Sequence, residues 1–309
     1  MRKIYCIGET VYDIIFKNSV PVAAKAGGSM LNACVSMGRT GLPAYFISEY
    51  GKDQIGNEIE NFLVSCNVHT PYVYRFFDGK TSIAIAFLNE KNDASYTFYK
   101  QLPEKRLALE FPEINENDII LTGSFYAINI EIRPQITHIL SKAKEAGAII
   151  YYDPNFRKAH FHELELLKPM ILENMAFADI VRGSNEDFEM IFGAKNLDDA
   201  YSHVSPYCET LIYTDASKSV SYKNKEINAS IHAKVIQPVS TIGAGDNFNA
   251  GLIYGLFQEN INKNQLEHLK VSQWQRIMQY GVDFASEVCM SYDNYISEDF
   301  AKSYKNKNQ

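Results

Sequence analysis

Short apolar runs alternate with helical patterns along most of this chain. Runs suited to buried strands are Ile4–Ile7, Ala44–Ile47, Asp118–Leu121, Ile149–Tyr152, Ile180–Arg182 and Leu211–Thr214, with Ser219–Tyr222 as a further candidate. Between them, Ile136, Ile139, Leu140 and Ala143 recur at helical spacing, and Gly147 follows as a C-cap. Asp53–Ser65 and Gln273–Cys289 carry further helical patterns, and Phe248, Leu252 and Leu256 fall one turn apart on a third. This alternation predicts an α/β fold with a mainly parallel sheet covered by helices, and ligands at the carboxyl ends of its strands.

One region breaks the rhythm. Thr81–Leu88 and Ser95–Tyr99 are strand-like runs separated by Asn89-Glu90-Lys91-Asn92-Asp93, a hairpin signal with no helix between. With Val11–Phe16 they can build a small second sheet, projecting over the strand ends as a lid that excludes water. The same spacing also suits an ordinary hairpin at the sheet edge. No internal repeat, low-complexity segment or interdomain linker interrupts the chain.

Composition narrows the class. Apolar residues make up 46% and aromatics 13% of the 309 residues, enough for a sizeable core. The formal charge is −7, from 30 Lys+Arg against 37 Asp+Glu, and no basic block appears before the tail; this argues against nucleic acid or an anionic membrane as partner. Cys6, Cys34, Cys66, Cys208 and Cys289 are widely spaced and form no CxxC, which fits reduced core thiols in a cytoplasmic protein. The start, Met1 to Glu9, reads as a first strand rather than a signal peptide, and no run approaches the roughly 18 apolar residues of a membrane span.

The densest chemistry lies in Ser240-Thr241-Ile242-Gly243-Ala244-Gly245-Asp246, just ahead of an apolar helix. Gly243 and Gly245 permit tight turning and close approach to a ligand, the helix start offers free N–H groups to an anion, and Asp246 can accept a proton from a hydroxyl. An N-capping aspartate is the plainer reading of the same turn. Ala26-Gly27-Gly28-Ser29-Met30-Leu31-Asn32 is a second glycine-rich helix entry, where Asn32 can both donate to and accept from hydroxyls. Asp13 can hold a pair of sugar hydroxyls, or serve as a solvated turn residue. Neither GxxxxGK[ST] nor GxGxxG after a strand is present, which disfavours P-loop and dinucleotide folds.

In this order the pieces resemble the ribokinase-like, PfkB-type carbohydrate kinases, in particular their fructokinase branch. The matching residues are Gly8-Glu9…Asp13, Gly27-Gly28…Asn32-Ala33…Met37-Gly38, Gly51-Lys52-Asp53…Gly56, Asp153-Pro154-Asn155-Phe156-Arg157 and Gly243-Ala244-Gly245-Asp246, spanning Lys3 to about Ser291. The resemblance implies a ribokinase-like three-layer α/β/α domain over 1–309, with a β-sheet lid from roughly 11–24 and 72–102. It implies ATP-dependent phosphorylation of a primary hydroxyl of a small sugar, fructose first. Asp246 would be the base and the Gly243, Ala244 and Gly245 amides the anion hole. Asp13, Gly27, Gly28 and Asn32 would grip the sugar. Arg157 would meet phosphate or substrate charge. Lys100 stands where the branch usually has Arg, keeping the charge but not the planar fork. Mg2+ would bridge the nucleotide phosphates, and the resemblance also implies a homodimer through the lid.

Three departures mark the nucleotide side. Ser240 replaces an Asp that helps a monovalent-cation site, so the resemblance does not extend to potassium activation. Ser184-Asn185-Glu186-Asp187 aligns with the metal–phosphate motif Asn-x-x-Glu, leaving Asp187 to reach the metal, directly or through water. Thr214-Asp215-Ala216-Ser217-Lys218-Ser219 lies where the nucleotide loop reads Thr-x-Gly-x-x-Gly, so Ala216 and Ser219 replace both glycines. If these positions need positive φ they are strained; if they need only smallness they are tolerated. Alternatives within the fold are 2-keto-3-deoxygluconate, ribose or a nucleoside as acceptor. A sugar-binding regulatory paralogue with weak catalysis is the alternative of another class.

Overall fold

The computed structural model describes residues 2–88 and 94–307; the expected hairpin signal at 89–93 lies outside them. The chain forms strands β1 (Ile4–Ile7), β2 (Val11–Lys17), β3 (Val20–Gly27), β4 (Ala44–Gly51), β5 (His69–Phe76), β6 (Lys80–Leu88), β7 (Ala94–Gln101) and β8 (Ile119–Gly123). β9 (Ile149–Asp153), β10 (Ile180–Ser184), β11 (Leu211–Asp215), β12 (Ser219–Lys223) and β13 (Asn228–His232) complete them. The helices are α1 (Ser29–Arg39), α2 (Gln54–Ser65), α3 (Arg133–Ala146), α4 (Leu164–Phe177), α5 (Asn185–Phe192), α6 (Leu197–Val204), α7 (Ala244–Gln258), α8 (Lys263–Leu266), α9 (Val271–Val288) and α10 (Glu298–Lys307).

Nine strands build one sheet in the order β13-β12-β11-β10-β9-β8-β1-β4-β5. All pairs are parallel except β11–β12 and β12–β13. Its central strands are apolar on both faces because both faces are covered. Ile4 and Cys6 of β1 join a core with α1, α2, α7 and α9, whereas Tyr5 and Ile7 join another with α3, α4, α5 and α6. The result is three layers, helix–sheet–helix. All five cysteines are buried and free. Among the described residues, no helix is long and apolar enough to cross a membrane.

A separate four-stranded sheet has the order β3-β2-β6-β7, so Val11–Phe16 and the two later runs do pair as a second sheet. Its limits differ from the sequence expectation. β3 carries it to Gly27, and residues 72–76 instead run parallel to β4 at the edge of the large sheet.

The parallel register fixes the site. Gly123 sits beside Asp153, and Ser184 beside Thr214, so these residues line up at the carboxyl ends of β8, β9, β10 and β11. The amino ends of α1, α5 and α7 come to the same edge through the polar contacts described below.

Candidate active site

The start of α7 is shaped by Gly243, which is left-handed at φ 80; a Cβ there would lie 2.9 Å from the Asn294 carbonyl oxygen. Of the three amides expected to form the anion hole, that of Ala244 donates to Thr241 O at 3.3 Å. Among the described residues the N–H groups of Gly243, Gly245 and Asp246 have no protein acceptor. Unpaired donors at the positive end of a 15-residue helix suit a phosphoryl group.

Asp246 lies in the same first turn and is 7% exposed. Its Oδ2 accepts a hydrogen bond from Asn32 Nδ2 at 2.8 Å. Burial pushes its carboxyl up to about 6 and Asp153 adds to this, while the Asn32 bond, Arg157 and Arg182 oppose it. It is therefore ionised at neutral pH yet basic enough to take a hydroxyl proton. The other end of the Asn32 amide, Oδ1, is buried with no protein partner, which fits a hydroxyl donor from a ligand.

Asp13, Gly27 and Gly28 come from the small sheet and its return to α1. A Cβ on Gly27 would lie 2.3 Å from Asp13 Oδ2, and one on Gly28 (φ 137) would lie 2.3 Å from Glu9 O. At Gly28 both the backbone angle and the nearby carbonyl demand glycine, whereas a side chain at Gly27 would have to displace the Asp13 carboxylate. Burial pushes Asp13 up to about 6, against the pull of Lys25. Lys25 Nζ itself donates to Tyr292 O at 2.8 Å and Asn294 Oδ1 at 3.1 Å.

The segment 292–296 ties these parts together. Asn247 Nδ2 donates to Asn294 O at 2.8 Å, Ile296 N donates to Ser36 Oγ at 3.1 Å, and Arg39 Nη1 donates to Ile296 O at 2.7 Å. It thus joins β3, α1 and α7, the elements that carry Asp13's neighbours, Asn32 and Asp246.

Lys100, on β7, is paired with Glu9. Arg157 is exposed, and its charge reaches both Asp246 and the lid residue Tyr96. At Ser240, the hydroxyl accepts from Ile242 N at 3.2 Å and caps its own turn.

On the nucleotide side, Ser184 and Asp187 form a capping box on α5. Asp187 Oδ1 accepts from Phe156 N at 2.7 Å, and Oδ2 from Ser184 N and Oγ at 2.7 and 2.6 Å. Burial, then Asp153, push its carboxyl up. The departures in the nucleotide loop now separate. Ala216 is left-handed at φ 43, whereas Ser219 opens β12 in extended pairing with Asp215. Asp215 holds the turn by accepting Lys218 N at 2.8 Å and pairing with the Lys218 ammonium.

Sequence reasoning missed the hub beneath the anion site. Arg182, on β10, donates from Nη1 to Asp153 Oδ2 at 2.9 Å and from Nη2 to Thr214 Oγ1 at 2.9 Å. Asn249 Nδ2 donates to the same Asp153 oxygen at 2.6 Å, and Tyr151 OH donates to Asn249 Oδ1 at 2.9 Å. Asp153 Oδ1 accepts from Asn155 N at 3.0 Å. The guanidinium lies 3.0 Å from where a Gly245 Cβ would stand, so it underlies the first turn of α7. An arginine inside an otherwise apolar strand run is the one signal that could have found it.

Among the described residues no group of three or more His, Cys, Asp or Glu could hold a metal ion. Asp187 and Asp153 already accept bonds on both oxygens. The donor set therefore fits a cation carried in on phosphates with waters between, rather than one held by protein carboxylates alone.

Comparison with known proteins bears on the family and the fold. The chain is 29% identical over 267 residues to the probable chloroplastic fructokinase-6 of Arabidopsis thaliana, covering 81% of this chain and 69% of that protein. It superposes on a fructokinase from Xylella fastidiosa, solved with bound ATP, with a TM-score of 0.85 at 20% identity, covering 99% and 98% of the two chains. It superposes on aminoimidazole riboside kinase from Salmonella enterica, solved with aminoimidazole riboside and an ATP analogue, with a TM-score of 0.83 at 18% identity, covering 98% and 100%. These two structures speak for the fold. The sequence profile of the pfkB family carbohydrate kinases matches residues 1–297. With the glycine turn, the buried aspartate and the paired-glycine helix entry brought to one edge of such a fold, the chain belongs to the pfkB family of carbohydrate kinases.

Proposed function

We propose that this protein transfers the γ-phosphoryl group of ATP to a primary hydroxyl of a small sugar, with fructose as the acceptor. The observation that carries this reading is the Asn32–Asp246 hydrogen bond, which joins the sugar-side helix entry to the base beside free helix N–H groups. Asp13, Gly27, Gly28 and Asn32 hold the sugar so that its hydroxyl faces Asp246. Asp246 takes the hydroxyl proton as the oxygen attacks the γ-phosphorus; the bond from phosphorus to the bridging oxygen breaks and ADP leaves. The free amides of Gly243, Gly245 and Asp246 face the charge gathering on the phosphoryl oxygens, where each such donor contributes about 3–4 kcal/mol in comparable sites. Arg157 neutralises charge from the exposed side, and Ser184, Thr214, Asp215, Ala216 and Ser219 border the nucleotide.

When bound, Mg2+ would screen the nucleotide phosphates and help hold them in line. Asp187 is the residue to reach its water shell, through oxygens already oriented by Ser184 and Phe156. The small sheet serves as the lid. Its exposed Phe87 and Tyr99, on the face opposite Asp13, give apolar surface for a homodimer, and the free buried thiols suit the cytoplasm.

The test is a coupled ADP-release assay over fructose, tagatose, ribose, 2-keto-3-deoxygluconate and nucleosides; no turnover of any would sink the kinase reading. One observation favours a second reading. The left-handed Ala216 could weaken the nucleotide loop and leave a sugar-binding regulatory paralogue. Titration calorimetry showing good sugar binding without ATP–Mg2+ binding would select it.

A further inference from the structure

We propose that Glu9 is a specificity-determining residue: by neutralising Lys100 it closes the acceptor site to acidic sugars. This rests on the sugar-kinase reading above and deepens it.

The argument starts from the alternation of β7. Tyr96, Phe98 and Lys100 share one face of the strand. The Tyr96 and Phe98 rings stack at 6.1 Å between centroids, and the Lys100 ammonium lies 5.6 Å from the centre of the Phe98 ring. Phe98 is in register with Ala84 and Ala84 with Asp13, so this face of the small sheet is the one that carries Asp13. Both rings are about half exposed, as the wall of a site would be.

Glu9 approaches the same place from the large sheet. It follows β1, and its carbonyl oxygen is the atom that leaves no room for a side chain on Gly28. Its carboxylate takes the Lys100 ammonium, across 91 residues of chain. The lid therefore presents an ion pair to the acceptor. A neutral polyol is well served by such a pair, because one hydroxyl can donate to Glu9 while another accepts from Lys100. A sugar carboxylate meets Glu9 and Asp13 as like charges and finds Lys100 already engaged. Arg157, whose charge acts on Asp246 as well as on Tyr96, is shared with the site of phosphoryl transfer.

The experiment compares kcat/KM for fructose and 2-keto-3-deoxygluconate in the wild type, Glu9→Gln, Lys100→Met and the double variant. The wild type should favour fructose. Glu9→Gln, which frees the ammonium, should narrow the preference by about tenfold through a lower KM for the acid, and added salt should erode that gain. The double variant should lose it. A preference unchanged within about twofold in Glu9→Gln, or a wild type that prefers the acid, would overturn the assignment of Glu9. If the wild type turns over neither sugar, the kinase reading fails separately. The same comparison is then read as Kd by calorimetry, and equal affinities of the wild type and Glu9→Gln for the acid overturn the inference.

Discussion

Asn32 on α1 and Asp246 on α7, 214 residues apart in sequence, share a buried hydrogen bond of 2.8 Å. The bond favours the ionised carboxylate and partly offsets the effect of burial. Asn32→Ala should therefore move the acidic limb of the kcat/KM profile upward by about one pH unit, besides weakening sugar binding. A variant with a raised KM but an unmoved limb would show that Asn32 does not tune Asp246.

Asp246→Asn should lower turnover by roughly 10²–10⁴-fold while calorimetry still detects sugar binding. Unchanged turnover would remove the base assignment.

The same carboxyl sets a pH dependence of stability. Its folded pKa is raised from 3.8 to about 6, so between these values the folded state holds more protons than the unfolded state. Stability should fall as pH rises through this window, by about 3 kcal/mol from this group, and level off above it. Asp13, raised to about 6, adds a fall of the same sign. Urea midpoints from pH 4 to pH 7 should show a shallower decline in Asp246→Asn than in the wild type.

Ala216→Gly relieves a left-handed alanine at φ 43. After allowance for the more flexible unfolded chain, a gain of about 0.5–1 kcal/mol is expected, together with tighter ATP binding. A loss of stability by denaturant titration would mean that the loop does not strain at this position.

Arg182 and Asp153 form a buried ion pair at 2.9 Å, with side chains 7% and 1% exposed. Asp153→Ala should cost about 3–5 kcal/mol, because it leaves a guanidinium unpaired in the interior. Asp153→Leu combined with Arg182→Met should recover much of that stability but not the activity, because the first turn of α7 loses its support. Additive losses in the double-mutant cycle would deny the coupling.

Burial on both faces makes β1, β8, β9, β10 and β11 legible as short apolar runs. The two edge strands of the large sheet lack that signature. β5, His69-Thr70-Pro71-Tyr72-Val73-Tyr74-Arg75-Phe76, mixes polar and apolar residues, and β13 is largely polar; neither forms a continuous run. Local motifs announce the site residues that lie in glycine turns, such as Gly27, Gly28 and Gly243. Side chains joined across the fold leave no such trace. Glu9 and Lys100 pair between the two sheets, and Arg182 meets Asp153 from a strand that reads as core. The conformation at Ala216 was undecidable from residue type, because alanine meets a demand for smallness but not one for positive φ.

The stapling of β3, α1 and α7 by residues 292–296 has a consequence for synthesis. Translation proceeds from the amino end, so the small sheet and α1 emerge long before the segment that fastens them to α7. A ribosome-bound chain has its sugar-side glycines early, but gains the brace between them and α7 only after residues 292–296 have left the exit tunnel. A chain that stops before that segment keeps the Asn32–Asp246 contact but lacks the strap that braces β3 and α1 against α7.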